Sequence, residues 1–198
     1  MTDADKRDRI IAAAYAVLSE KGYDKASTKE IASEAGVAQG LINYYFSSKD
    51  LLFAEVFRRE TENYCASFDS RLPKGEGALT QESIAGLLEL SKNKVLEERD
   101  WFRLRYELFA IGLRNESAKE TLKEMLSSER KHISERVTEM TGLPREQMDV
   151  FASIIYSIFE GLGLQKVADP DFKYDEAYAM VTEMYGAYYE SLTKKREP

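Results

Sequence analysis

The chain has 198 residues, 28 of them basic and 35 acidic, for a net charge of −7, with 43% hydrophobic residues, four prolines and one cysteine. This composition supplies a core for one small domain joined to a larger one and argues against a disordered polymer; the single Cys65 excludes an internal disulfide and fits a reducing compartment. The only histidine, His132, lies in the charged run SERKHISER, expected to be a solvated helix face, which leaves a histidine triad or multi-histidine metal site without partners.

No run approaches the roughly twenty apolar residues of a membrane span. The first residues, MTDADKRDR, are charged where a secretory signal needs an apolar core. A cytoplasmic protein with no membrane partner is expected.

In chain order, a first helix is expected from about Ala4 to Lys21, with Ile10, Ala14, Val17 and Leu18 on one face, ended by Gly22. Ser27 and Glu30 have the spacing of a capping box opening a second helix that carries Ile31, Ala32 and Ala35 inward. Gly36 stops it, because glycine takes positive φ without steric penalty, and Val37 fills the angle beyond. Ala32 is small where two helices must cross. Leu41, Ile42, Tyr45 and Phe46 then give the inner face of a short helix over 38–45, leaving Gln39, Gly40, Asn43 and Tyr44 outward. Ser47 with Asp50 is expected to cap a longer helix from Lys49, where backbone N–H groups and a lysine favour a phosphate.

That helix is expected to pass Tyr64 and Phe68 and end at the loop 73–77, the clearest boundary in the sequence. Further helices are expected near 80–97, 101–113, 115–141, 145–167 and 172–194, with breaks at 142–144 and 169–170 where proline cannot continue a helix. No stretch alternates with period two, so the fold class is all-α. Over 101–113, Trp101, Leu104, Leu108 and Ile111 form one apolar stripe and Phe102, Tyr106, Phe109 and Leu113 another, predicting burial on both. Over 145–167, Phe151, Ile154, Ile155, Ile158, Phe159 and Leu162 cover more than one face, with Gly161 and Gly163 permitting close helix approach. The last helix adds Ala177, Tyr178, Val181, Met184, Tyr185 and Tyr188. Phe151, Ile155, Ile158, Leu162, Val181, Met184, Tyr185 and Tyr188 are therefore candidates for a four-helix interface between two copies.

The block from Ile10 through Phe57 resembles the N-terminal domain of the TetR family of bacterial transcriptional regulators. The resemblance rests on Gly22–Tyr23, on Thr28 to Val37, and on Ile42, Asn43, Tyr44, Tyr45, Phe46, Lys49 and Leu52. Asn43 stands where many members carry an aromatic, and Tyr45 where histidine is common. The run Phe159 to Gln165, then Asp169, Pro170 and a final helix, resembles the C-terminal region of the BetI-type branch.

The resemblance implies a three-helix helix-turn-helix DNA-binding domain over 1–48 and a larger helical effector-binding and dimerisation domain over 49–198. It implies a homodimer that binds a palindromic double-stranded operator and releases it on meeting a small-molecule effector, most often as a repressor. The expected DNA-contacting residues are Thr28, Lys29, Ala38, Gln39, Gly40, Asn43, Tyr44, Tyr45 and Lys49. Gln39 and Asn43 carry amides that pair with adenine, Lys29 is placed to reach guanine, and Thr28, Tyr44, Tyr45 and Lys49 suit phosphates. Residues 1–50 hold 7 basic and 8 acidic residues, so most of the acidity lies elsewhere, and Lys6, Arg7, Arg9, Lys25, Lys29 and Lys49 are expected to gather on one surface.

Tyr64, Phe68, Trp101, Phe102, Tyr106, Phe109, Tyr156 and Phe159 are candidates for an apolar effector pocket or for plain core. Glu107 and Glu160 lie among them, either paired by Arg103 or Arg105 or available to a cationic effector. No Gly-rich phosphate loop follows a strand, so neither cofactor nor enzyme activity is expected. The rival reading is a helical protein-interaction dimer without DNA readout.

Overall fold

The computed structural model describes residues 2–72, 75, 80–114 and 116–194. Among these the chain forms α1 (Asp3–Lys25), α2 (Thr28–Ala35), α3 (Gln39–Tyr45), α4 (Lys49–Asp69), α5 (Gln81–Glu97), α6 (Arg99–Arg114), α7 (Glu116–Thr141), α8 (Arg145–Ala168) and α9 (Tyr174–Lys194), with no strand. The expected all-α architecture and its helix order are those observed. The loop expected over 73–77 lies, apart from Gly75, outside the described residues.

The chain packs as two compact units, Met1–Tyr64 with Asp100–Ser127, and Cys65–Arg99 with Ser128–Pro198. In the first, α1 buries Ile10, Ile11, Ala14, Val17 and Leu18, α4 buries Leu52, Phe53, Val56 and Phe57, and α6 buries Trp101, Phe102, Leu104 and Leu108. A row of aromatic rings joins three helices: Tyr23 to Phe53 at 4.7 Å, Phe53 to Phe57 at 4.7 Å, Phe57 to Trp101 at 4.8 Å and Trp101 to Tyr15 at 6.1 Å between centroids. Such large rings dominate the burial that stabilises a domain of this size. The two-sided burial expected for α6 holds only along its first turns. Leu113 is 81% exposed at the far end.

In the second unit, Ile84 of α5, Val137 and Met140 of α7, Met148 of α8, and Val181 and Tyr185 of α9 form the core. The buried stripe of α8 is Met148, Ala152, Tyr156, Glu160 and Gly163, not the bulky set the sequence favours. Phe151, Ile155, Ile158 and Leu162 pack half-buried on its flank, while Ile154 faces outward at 50% exposure. A helix with apolar residues on most positions does not reveal which stripe its neighbours cover. Gly161 meets open space, with no atom within 4 Å of where a Cβ would stand, so it mediates no close approach within the protomer. By length and composition α8 is apolar enough to cross a membrane, which corrects the expectation that no run comes near a span. His132 is another correction: it is half-buried, with Nε2 3.1 Å from Asp69, rather than on a solvated face.

Candidate nucleic-acid interface

The geometry of the first unit is set by its caps. Ser27 accepts from the Glu30 N–H at 3.2 Å while Glu30 accepts from the Ser27 N–H at 3.1 Å, so the capping box fixes where α2 begins. Glu30 also meets Lys21 of α1 at 2.6 Å, bridging the corner between the helices. Hydrogen bonds from Lys21 and then Ser27 hold its carboxyl down at about 2.

At the other end Gly36 adopts φ 62° and ψ 39°, and its N–H returns to Ala32 and Ser33 of the last turn. The Arg9 guanidinium of α1 donates to the Ala35 carbonyl and lies where a Gly36 Cβ would be, 2.9 Å away. The turn is therefore closed from outside as well as within.

Beyond it, α3 buries Ile42, at 1% exposure, and Phe46 follows at 5%. The opposite face is open: Ala38, Gln39, Gly40, Asn43 and Tyr44 are all exposed. Gln39 Nε2 donates to Thr28 Oγ1 at 3.2 Å, so the start of α3 is tied to the start of α2. The Tyr45 hydroxyl donates to the Asp3 carbonyl at 3.2 Å, which fastens the end of α3 to α1. Tyr44 stands 74% exposed, its ring edge-on to Tyr45 at 5.1 Å. Of the residues expected to contact DNA, Gln39 is thus held beside Thr28, while Ala38, Gly40, Asn43 and Tyr44 stand exposed along α3 and its N-cap.

The expected basic cluster is dispersed instead. Lys6 pairs with Asp3 at 3.4 Å, Arg7 with Glu55 at 2.9 Å while lying over the Phe46 ring, and Arg9 serves the α2 turn. Lys49 donates to the Tyr23 carbonyl and sits over the Tyr23 ring at 4.1 Å, and burial lowers its pKa. A phosphate contact by Lys49 requires it to leave Tyr23. Lys25 and Lys29 remain exposed. Cations near a domain's own carbonyls and rings are drawn to them, and sequence spacing does not foretell which. The cap of α4 also differs from expectation. Ser48 accepts from the Leu51 N–H at 3.1 Å, and Asp50 accepts from the Tyr23 hydroxyl.

Among the candidate pocket residues, Tyr64, Phe102, Tyr106 and Phe109 make a continuous row in the first unit, with successive centroids 6.4, 6.3 and 5.8 Å apart. Trp101, at 2% exposure, belongs to the core. Glu107 is turned to the corner after α1, accepting from the Tyr23 N–H at 3.0 Å. Burial and then Asp24 raise its pKa, and Lys49 opposes them. Arg105 is buried against the Phe109 ring, 5.6 Å from its centroid. Phe68, Tyr156, Phe159 and Glu160 lie in the second unit, where Tyr156 and Glu160 are buried. The sequence reading named Arg9, Tyr23 and Asp50 in other roles, and no pattern within the sequence pairs them with the partners observed.

Residues 10–56 match the bacterial regulatory proteins of the tetR family. Over 51 residues, 26% of either chain, the protein is 49% identical to an uncharacterized HTH-type transcriptional regulator, YvdT, of Bacillus subtilis. Over 167 residues, 84% of this chain and 83% of the other, it is 23% identical to the HTH-type transcriptional regulator BetI of Vibrio vulnificus. The fold is similar to that of the multidrug binding protein EbrR, solved in complex with ethidium, with a TM-score of 0.70 at 21% identity, covering 92% of this chain and 99% of that one. A capped helix pair around a glycine turn, an open α3 face and these likenesses converge on one conclusion: residues 10–56 form a helix-turn-helix domain of the tetR type, and the chain is a DNA-binding transcriptional regulator.

Proposed function

We propose that the protein acts in the cytoplasm as a homodimeric repressor that leaves a palindromic operator when a small-molecule effector binds. The observation that carries the DNA-reading part is the two-faced α3, with Ile42 buried at 1% and Gln39, Gly40, Asn43 and Tyr44 exposed side by side. Such a helix enters a major groove, and two of them, about 34 Å apart, read half-sites one helical turn apart. Gln39 and Asn43 would read base edges, Lys29 would reach guanine, and Thr28, Tyr44, Tyr45 and Lys49 would face the backbone. In functional terms the reader comprises residues 1–48 and the effector and dimer part residues 49–198.

The dimer reading is supported by apolar side chains that the protomer leaves uncovered. Val150, Ile154 and Leu164 on α8 and Met180, Met184 and Tyr188 on α9 are 40–65% exposed. Val181 and Tyr185, expected at that interface, are instead buried within the protomer, which moves the proposed contact one helix face outward. Exposed apolar residues recurring every three or four positions on neighbouring helices suit pairing into a four-helix bundle.

The effector part rests on the half-buried rings of Tyr64, Tyr106 and Phe109, which offer apolar surface beside a cationic Arg105. The effector must bind the dimer geometry incompatible with DNA more tightly than the competent one, because equal affinity shifts nothing. Selection from a random-sequence duplex pool, followed by footprinting of the enriched sequence, tests the reading. A protected palindrome is expected, and failure of the folded protein to enrich any sequence at low salt would sink it.

A further inference from the structure

Tyr23 is held at four points. Its N–H donates to Glu107 Oε1 at 3.0 Å, its carbonyl accepts from Lys49 Nζ, its hydroxyl donates to Asp50, and its ring lies 4.7 Å from that of Phe53. Three of these holders come from α4. The fourth comes from α6, 84 residues along the chain.

A second observation, independent of that bond, puts the same carboxylate at the same place. Gly22 has φ 75° and ψ 171°, and a Cβ built there would stand 3.2 Å from both Glu107 oxygens. The carboxylate occupies the volume a side chain would need. It faces Asp24, which repels it, and Lys49, which attracts it, so its charge is held between the end of α1 and the start of α4.

From that corner the connection to α3 is short. Lys21 and Glu30 bridge α1 to α2 at 2.6 Å, Ser27 caps α2, and Thr28 accepts from Gln39 at 3.2 Å. Lys21, Arg9 and Asp3 lie before the corner and tie α1 directly to Glu30, Ala35 and Tyr45, so the orientation of α2 and α3 is set jointly by these ties and by the conformation at Gly22 and Tyr23. Glycine at that position leaves the backbone free to take other angles unless something outside restrains it.

We propose that Glu107 is a positioning residue for base readout: by clamping the Gly22–Tyr23 corner from α6, it acts together with the Arg9–Ala35, Lys21–Glu30 and Tyr45–Asp3 ties to fix the angle at which α2 and α3 leave α1, and with it where Gln39 and Asn43 stand. The proposal rests on the reading of α3 as the recognition helix. Phosphate contacts tolerate a small change in that angle, because they are numerous and charge-driven, whereas bidentate base pairing does not. Loss of the clamp therefore lowers selectivity more than it lowers general DNA affinity.

The test uses the full-length protein, a duplex enriched by the wild type from a random pool, and a scrambled duplex of the same length, with fluorescence anisotropy as the readout. Glu107→Ala is expected to weaken binding to the enriched duplex roughly tenfold, the scale of one charge-assisted hydrogen bond, while changing scrambled-duplex binding less than about twofold. Amide exchange at Tyr23 should quicken. Glu107→Gln, which keeps an acceptor oxygen in place, should recover most of the selectivity. Should Glu107→Ala fail to fold, Glu107→Asp withdraws the oxygen by one methylene while keeping the charge, and a smaller loss of the same kind is expected. Undiminished selectivity in a folded Glu107→Ala or in Glu107→Asp overturns the proposal, as does an equal loss on both duplexes. Failure of the wild type to enrich any duplex strikes instead at the DNA-reading assignment beneath it.

Discussion

Replacing Gly22 with alanine probes the corner from the other side, and the structure sets the size of the effect. At φ 75° and ψ 171° the residue occupies a region essentially reserved for glycine, where a side chain costs about 1–3 kcal/mol. The new methyl would also press on both Glu107 oxygens at 3.2 Å, so the carboxylate must retreat and stretch its 3.0 Å bond to the Tyr23 N–H. Losing part of a charge-assisted hydrogen bond adds about 1 kcal/mol, for a total near 2–4 kcal/mol. Set against a typical stability of about 5–15 kcal/mol, this is measurable without abolishing the fold. Urea denaturation followed by circular dichroism is expected to show a lower midpoint with an unchanged slope. Combining Gly22→Ala with Glu107→Ala separates the two contributions: the methyl then meets no carboxylate, and its effect should shrink by about 1 kcal/mol. A loss below about 1 kcal/mol for Gly22→Ala would refute the strain argument. Strict additivity in the double variant would refute the contact.

Gln39→Ala should relax discrimination at one base pair of the enriched site by about 1–3 kcal/mol, read from competition with single-substitution duplexes; equal loss at every position would remove Gln39 from base readout. The Glu30 carboxyl is held at about 2 against an ordinary 4.5, so the capping box contributes stability that is present above pH 4.5 and is lost as pH falls toward 2. Amide exchange in α2 should therefore accelerate across that window in the wild type and much less in Glu30→Gln, and parallel pH dependence in the two would exclude Glu30 as the source. For the dimer, Ile154→Glu with Met184→Glu places charges on exposed apolar positions of α8 and α9 and should convert the protein to a folded monomer in analytical ultracentrifugation; an unchanged dimer would locate the interface elsewhere.

Much of the reading apparatus is determined locally and was therefore legible in the sequence. The Ser27–Glu30 box and the left-handed Gly36 each depend on neighbours within a few residues, whose preferences hold whatever the rest of the chain does, and the apolar spacing of α3 marks Ile42 as the side that packing then buries. The helix order follows for the same reason, since period and breakers act within single segments.

What only the tertiary structure decided are pairings between groups far apart in the chain. Lys49 turned to Tyr23, Arg9 to Ala35, Glu107 to the corner at Gly22, and α8 buried Met148, Ala152 and Tyr156 in preference to bulkier candidates. A charged side chain has a choice of partners that propensity and spacing do not rank, and a helix apolar on most positions offers several faces. Packing makes that choice, because each buried polar group must find a partner and each ring must fill a particular volume.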